Sequence, residues 1–261
     1  MIDIPSQNTR HRLRLGVLVP FTNTNLEPDM ARLAPPDAAV YAARLGGYDQ
    51  DEIPDEDQMA DLGASDLDEP LRLILGVRPH VVFYGCTSAT LTHGPAFDRD
   101  LVARIHATAG VPTITAAGAL VHALTSLQIT RVAFASPYVG KINDMAEAFL
   151  AEQGITTVSR ADIGMALDNY GQGALTPDQI CALAARADSP DAQAMVLSCT
   201  DMRSVECIAR LEDALGKPMV CSNQAMIFQA TGLLGFQPWP ALAAHGHLFE
   251  IAPLEQARAQ G

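Results

Sequence analysis

The stretches HVVFYGCTSAT (residues 80–90) and AQAMVLSCTDM (residues 192–202) each run a short apolar segment into a small residue followed by Cys-Thr. A β-rich apolar run that breaks at a polar turn is the pattern of a buried parallel strand opening onto the mouth of an α/β sheet. The two cysteines, Cys86 and Cys199, lie 113 residues apart. Working outward, RLRLGVLVPFTN (12–23) and ITRVAFASPYVG (129–140) are apolar strands that break at Pro20 and Pro137, an offset of 117. GVPTITAAGALVHAL (110–124) matches GKPMVCSNQAMIFQA (216–230) as Gly-x-Pro, strand and small-residue helix start, an offset of 106. Three strand-plus-turn units therefore recur in one order. The period far exceeds that of solenoids, so the chain reads as two similar α/β lobes: residues 1–117 with 231–261, and residues 118–230.

Composition narrows the function classes. The 261 residues are 48% hydrophobic and 18% charged, enough for a sizeable core and against disorder. No apolar stretch approaches the roughly 20 residues that span a bilayer. LRLGVLVPF, interrupted by Arg14 and Pro20, reads as a first strand rather than a signal peptide. Five cysteines without framework spacing fit reduced thiols in a cytoplasmic protein. A net charge of −13 argues against nucleic acid and anionic membranes as partners. Much of it sits in residues 49–69, with ten acidic side chains and no basic one, a pattern read as a solvated loop and helix surface. Lys141 and Lys217 are the only lysines, which leaves few candidates for a Schiff base; Lys217 reads as part of a surface turn.

Alternating elements along the chain indicate parallel sheets covered on both faces. Strands are expected at 13–20, 38–44, 80–85, 112–115, 130–135, 155–160, 194–198 and 218–221. Helices are expected near 26–34, 66–77, 95–109, 117–127, 139–153, 201–214 and 223–234, with a loop over 168–177 and a further helix opening at Thr176-Pro177-Asp178. Ligands of such sheets lie beyond the carboxyl ends of the strands, where both Cys-Thr turns fall.

Cys86 and Cys199 are the leading chemical candidates. A strand end before a helix start, with Thr87, Ser88 and Thr200 supplying N–H and O–H donors, favours the thiolate. The same turns are expected to cradle a carboxylate in backbone N–H groups. Asn23 points toward that crevice, although it also suits a helix cap. Tyr138 occupies the equivalent turn of the second lobe, either as a donor to a carboxylate or as a packing residue. Asn169 suits a turn as well as a site. Cys181, Cys207 and Cys221 fall at unmatched positions and read as core, and His93 as a solvent-facing helix start. His245-Gly-His247 lacks a third ligand, and no cysteine pair has zinc spacing. Gly171-x-Gly173 lacks the setting of a dinucleotide fingerprint.

Taken together, these segments resemble the aspartate/glutamate racemase superfamily, in the branch of maleate cis–trans isomerases, arylmalonate decarboxylases and the ectoine-utilisation protein of that fold. The resemblance rests on residues 16–24, Gly-Cys-Thr-Ser-x-Thr (85–90), Ser-Pro-Tyr (136–138), Asp-Asn (168–169), Ser-Cys-Thr-Asp-Met-Arg (198–203) and residues 216–225. It implies two flavodoxin-like lobes about a pseudo-twofold axis, no cofactor, no metal and a site between the lobes. Cys86 and Cys199 would be the catalytic pair. Asn23, Thr87, Ser88, Tyr138, Asn169 and Thr200 would hold the carboxylates of a small substrate. A homodimer or tetramer is implied too. The decarboxylase branch keeps only the second thiol, whereas this chain has both. Thr-Ser after the first cysteine and Thr after the second are closer to the racemases and ectoine-linked members, and Phe21 beside Asn23 implies a bulkier substrate.

The expected function is cofactor-independent isomerisation or racemisation of a small carboxylic acid by two opposed cysteines. Decarboxylation of a disubstituted malonate by Cys199 alone, and non-catalytic carboxylate binding, are the rival readings.

Overall fold

A computed structural model of the chain describes residues 13–46, 55–235 and 239–254. Strands β1 (Leu13–Pro20), β2 (Ala38–Leu45), β3 (Val81–Tyr84) and β4 (Thr113–Thr115) form one parallel sheet in the order β2-β1-β3-β4. Strands β5 (Arg131–Ala135), β6 (Thr156–Ala161), β7 (Ala194–Leu197) and β8 (Met219–Cys221) form a second in the order β6-β5-β7-β8. The two topologies are identical, as the offsets of the sequence require. The apolar strands β3 (VVFY) and β7 (AMVL) are wholly buried and sit at the third position of each sheet. A central parallel strand has both faces covered and therefore reads as a continuous apolar run.

Helices α1 (Leu26–Leu33), α2 (Glu56–Ala64), α3 (Asp68–Leu75), α4 (Thr87–Leu91), α5 (Gly94–Ala109) and α6 (Ala116–Ser126) belong to the first half. Helices α7 (Gly140–Glu152), α8 (Asn169–Gly173), α9 (Pro177–Ala187), α10 (Ile208–Leu215) and α11 (Ser222–Leu234) belong to the second. The repeat extends to the caps. Gly110 and Gly216 both end a helix in the left-handed region, at φ 67° and 65°, which a side chain would strain. Thr115 and Cys221 then N-cap α6 and α11 through their side chains. Those two helices pack against each other and join the lobes.

Several elements differ from expectation. The acidic stretch is partly structural: from 55 onward it forms α2, with Gln58, Met59 and Leu62 buried, because an apolar stripe at helical spacing interrupts the charges. Residues 47–54 lie outside the described residues. The loop at 168–177 contains α8, capped by the Asp168 carboxylate accepting from Gly171 N–H at 2.6 Å. The helix expected from 201 begins only at a 3-10 turn, Val205–Cys207. His93 is half-buried rather than solvent-facing, with its Nε2 2.8 Å from the Ala60 carbonyl oxygen and its ring stacked on Phe97. Lys217 is 12% exposed and ion-paired with Asp188 at 2.6 Å, not a free surface turn. Cys181 is only partly buried and accepts from Arg210 Nε at 3.0 Å, so it lies at the edge of the core. No helix among the described residues is long and apolar enough to cross a membrane.

Gly85, before the first cysteine, has no room for a side chain. A Cβ there would stand 2.2 Å from Leu26 Cδ2 and 3.0 Å from the Leu18 carbonyl oxygen. Gly85→Ala is expected to cost about 1–3 kcal/mol by overpacking. A denaturation midpoint equal to that of the parent would contradict this close packing.

Candidate active site

The carboxyl ends of β1, β3, β5 and β7 face one crevice between the lobes. All eight side chains singled out from the sequence line a single cavity there: Cys86, Thr87 and Ser88 after β3, Asn23 after β1, Tyr138 after β5, Asn169 on α8, and Cys199 and Thr200 after β7. Its volume is about 40 Å³, room for on the order of three waters. Phe21 is not among the lining residues, whereas Pro20 and Thr22 on either side of it are. Phe21 donates its backbone N–H to the Leu45 carbonyl at 2.9 Å.

A polar network fixes the floor across the lobe boundary. Asn23 Nδ2 donates to Thr200 Oγ1 at 3.0 Å, and Thr200 Oγ1 donates to the Gly85 carbonyl at 2.8 Å. Thr87 Oγ1 donates to Ser222 Oγ at 2.9 Å. The two threonine hydroxyl protons are thus committed inside the protein, and what these residues can offer a ligand is backbone N–H. Asn23 is both a turn former and a site residue, since its Oδ1 accepts from Asn25 and Leu26 N–H. Ser88 Oγ donates to the Met59 sulfur at 3.0 Å and lies 3.7 Å from Cys86 Sγ. Asn169 Nδ2 donates to Gln58 Oε1 at 3.4 Å, bridging α8 and α2.

Besides Pro20 and Thr22, three lining residues escaped the sequence reading. Asp201 Oδ1 accepts from Thr24 N–H, Asn25 N–H and Asn25 Nδ2 at 2.9–3.1 Å, tying the turn after β1 to that after β7. Gln172 Oε1 accepts from Cys199 Sγ at 3.5 Å. Met59 comes from the acidic segment. Gln172 was detectable as the residue three beyond Asn169, on one face of a helix; Met59 carried no local signal.

Electrostatics corrects the expectation of a favoured thiolate. Burial pushes the Cys86 thiol up, although the N–H groups of Ala89 and Ser88 and the Ser88 hydroxyl favour its thiolate. Burial, then the Asp201 charge, pushes Cys199 up to about 12. The physical reason is local: α4 is one short turn, and no helix follows Cys199 directly, so neither dipole offsets desolvation. Tyr138 is likewise driven well above its ordinary value, by burial and then by the Cys199 thiol. It therefore stays a neutral donor. At pH 8 a thiol near 12 supplies about 10³-fold less thiolate than free cysteine, partly offset by its greater nucleophilicity. Alkylation of Cys199 by iodoacetamide at that pH is expected to run roughly 30-fold slower than that of free cysteine, as followed by peptide mass spectrometry. Equal rates would show that desolvation does not govern this thiol.

Among the described residues no cluster of three or more His, Cys, Asp or Glu is arranged to hold a metal. His247 instead pairs with Glu212, Nδ1 to Oε2 at 2.9 Å.

Two matched parallel sheets, one thiol from each facing a shared crevice, define the two-lobed architecture of the aspartate/glutamate racemase superfamily. The chain belongs to the arylmalonate decarboxylase family, whose model matches residues 15–249. An arylmalonate decarboxylase of Bordetella bronchiseptica is 29% identical over 247 residues, covering 90% of this chain and 96% of the relative. A maleate isomerase of Alcaligenes faecalis is 25% identical over 248 residues, covering 89% and 95%. The maleate isomerase of Pseudomonas putida S16, solved with maleate, superposes with a TM-score of 0.83 at 23% identity, over 93% of this chain and 99% of that one. A Cys-to-Ser variant of the Nocardia farcinica maleate cis–trans isomerase, solved with a covalently bound succinylcysteine intermediate, superposes with a TM-score of 0.80 at 22% identity, over 91% and 98%.

Proposed function

We propose that this protein is an isomerase of a small carboxylic acid that works with two cysteines and no cofactor, a cis–trans dicarboxylate of the maleate type being the favoured substrate. The observation that carries this reading is the presence of two thiols, one from each lobe, on one small cavity. The maleate isomerases among its relatives support the reaction class.

The surroundings of the two sulfurs support distinct roles for them. Cys86 faces N–H and O–H donors and is the nucleophile, entering as thiolate after losing its proton to solvent. Cys199, beside the Asp201 charge, holds its proton and is the acid. Cys86 Sγ adds to one alkene carbon; the π electrons pass to the other, which takes the Cys199 proton. The resulting single bond rotates. Cys199 thiolate then removes that proton, the C–S bond breaks, and the trans alkene leaves Cys86 as thiolate. Negative charge developing on the substrate carboxylate is met by Tyr138 and by backbone N–H of Thr87 and Thr200. Asn23, Ser88 and Asn169 complete the carboxylate pocket.

Proton NMR in deuterated water with maleate tests this directly: fumarate signals should grow with time. Racemisation of a 2-substituted acid would instead show deuterium entering the α position without alkene conversion. The second reading, decarboxylation of a disubstituted malonate, is favoured by the family match and by a Cys199 thiol that keeps its proton for delivery to a carbanion. Carbon dioxide release that survives Cys86→Ser would replace the isomerase assignment.

A further inference from the structure

Two thiols outside the crevice meet where α9 packs against the 3-10 turn Val205–Cys207 and the start of α10. Arg210 Nε donates to Cys181 Sγ at 3.0 Å. The same guanidinium donates to the Pro177 carbonyl at 3.0 Å and pairs with Asp178 at 2.7 Å. Cys207 Sγ approaches that Pro177 carbonyl, and the Arg203 carbonyl, at 3.5 Å each. Pro177 and Cys181 stand four residues apart on α9 and so share one helix face. The two sulfurs therefore flank one carbonyl and one guanidinium. After burial, the Cys181 thiol is the leading influence on Cys207, both as a charge and as a hydrogen-bond partner. All five cysteines are free.

The pair is unequal. Cys181 is partly exposed and its sulfur carries a guanidinium, whereas Cys207 is fully buried and its thiol is held well above the ordinary range. A sulfur that meets an oxidant and a second that resolves it divide in this way. Cys221 also lies near Cys207, but it is 1% exposed and its side chain caps α11 by accepting from the Gln224 N–H. An oxidant from solvent reaches Cys181 first. The crevice thiols belong to opposite lobes, and burial raises both.

We propose that Cys181 and Cys207 form a peroxide-sensitive dithiol, in which Cys181 is the sulfur oxidised first, beside Arg210, and Cys207 closes the disulfide. The Cys181 thiolate attacks hydrogen peroxide; the O–O bond breaks, hydroxide leaves and Cys181 becomes a sulfenic acid. Cys207 sulfur then displaces hydroxide from the Cys181 sulfur, and its own proton leaves with that hydroxide as water. In sum, two thiols lose two hydrogens and one peroxide becomes two waters. The bond closes the stretch 181–207, which holds β7 and the Cys199-Thr200-Asp201 turn.

The test is treatment of the full chain with hydrogen peroxide, followed by thiol titration in denaturant and peptide mapping without reductant. Two of the five thiols should be lost, in a crosslinked pair of peptides carrying Cys181 and Cys207, and dithiothreitol should restore both. Cys207→Ser should instead leave Cys181 as a sulfenic acid, read as a dimedone adduct. Cys181→Ser, at a partly exposed position, should keep its four remaining thiols under the same treatment. Arg210→Gln should slow disulfide formation about tenfold. Cys86→Ser with Cys199→Ser should leave the crosslink unchanged, so the outcome does not depend on the isomerase reading. Survival of all five thiols, while free cysteine in the same solution is oxidised, overturns the proposal. So does a crosslink between any other pair or between two chains, a Cys207→Ser protein without the Cys181 adduct, or an Arg210→Gln rate equal to the parent's.

Discussion

Replacing either crevice cysteine by serine is expected to reduce turnover about 10³-fold or more while leaving the fold intact. The two losses should have different characters. Cys86→Ser removes the atom that bonds to the substrate, and a hydroxyl with no base beside it is a far poorer nucleophile than a thiolate. Cys199→Ser removes the proton carrier from the opposite face, so the adduct takes its proton only slowly, from water, and once protonated has no thiolate base to remove that proton and expel Cys86. The Cys199→Ser protein should therefore be the one in which incubation with substrate leaves added mass on the Cys86 peptide. Both cysteines are buried, at 5% and 6% exposure, yet serine is close in shape and the cavity is polar. Stability should drop by only about 1 kcal/mol. Full activity in Cys86→Ser with maleate would rule out the two-thiol mechanism.

Stability should also depend on pH through three buried carboxyls. Asp29, Asp98 and Asp201 are each raised to about 6, with burial the leading cause. In the unfolded chain such a group titrates near 3.8. Each binds its proton more tightly when folded, so its stabilising contribution is complete below about pH 4 and is lost as pH rises through about 6, on the order of 3 kcal/mol per group. His80, His122 and His245, lowered mainly by burial, act oppositely as pH falls below their ordinary range. A variant comparison separates these contributions. Asp201→Asn keeps an acceptor for Thr24 and Asn25 but carries no charge, so it should gain on the parent at pH 8 and lose that advantage at pH 4. It should also lower the Cys199 thiol, for which the Asp201 charge is the second cause of the upward shift, and so accelerate alkylation. A stability difference that does not change with pH would show that Asp201 is not desolvated.

These carboxyls also mark where sequence reading stopped. Asp201 stands two residues beyond Cys199 in a segment already singled out, yet nothing local tells a buried acid from a surface one. Its burial comes from the turn after β1, 176 positions away, closing over it. Met59 is a similar case: an acidic stretch conceals a helix whose apolar stripe reaches the crevice. The thiols illustrate the converse. Their convergence was legible from matched Cys-Thr turns, but their protonation was not, because it depends on the water excluded by both lobes together.

The sequence alone determined the strand positions and the duplication, and with the family resemblance it singled out the eight side chains that line the crevice. Those follow from period, turn chemistry and the rule that parallel strands present their carboxyl ends to one side, all of which are short-range or repeated signals. The tertiary structure decided the size of the cavity, the commitment of Thr87 and Thr200 to internal hydrogen bonds and the raised thiols. Each of these depends on which groups lose water when two sheets close on one another, and desolvation is a property of the assembled surface rather than of any stretch of chain.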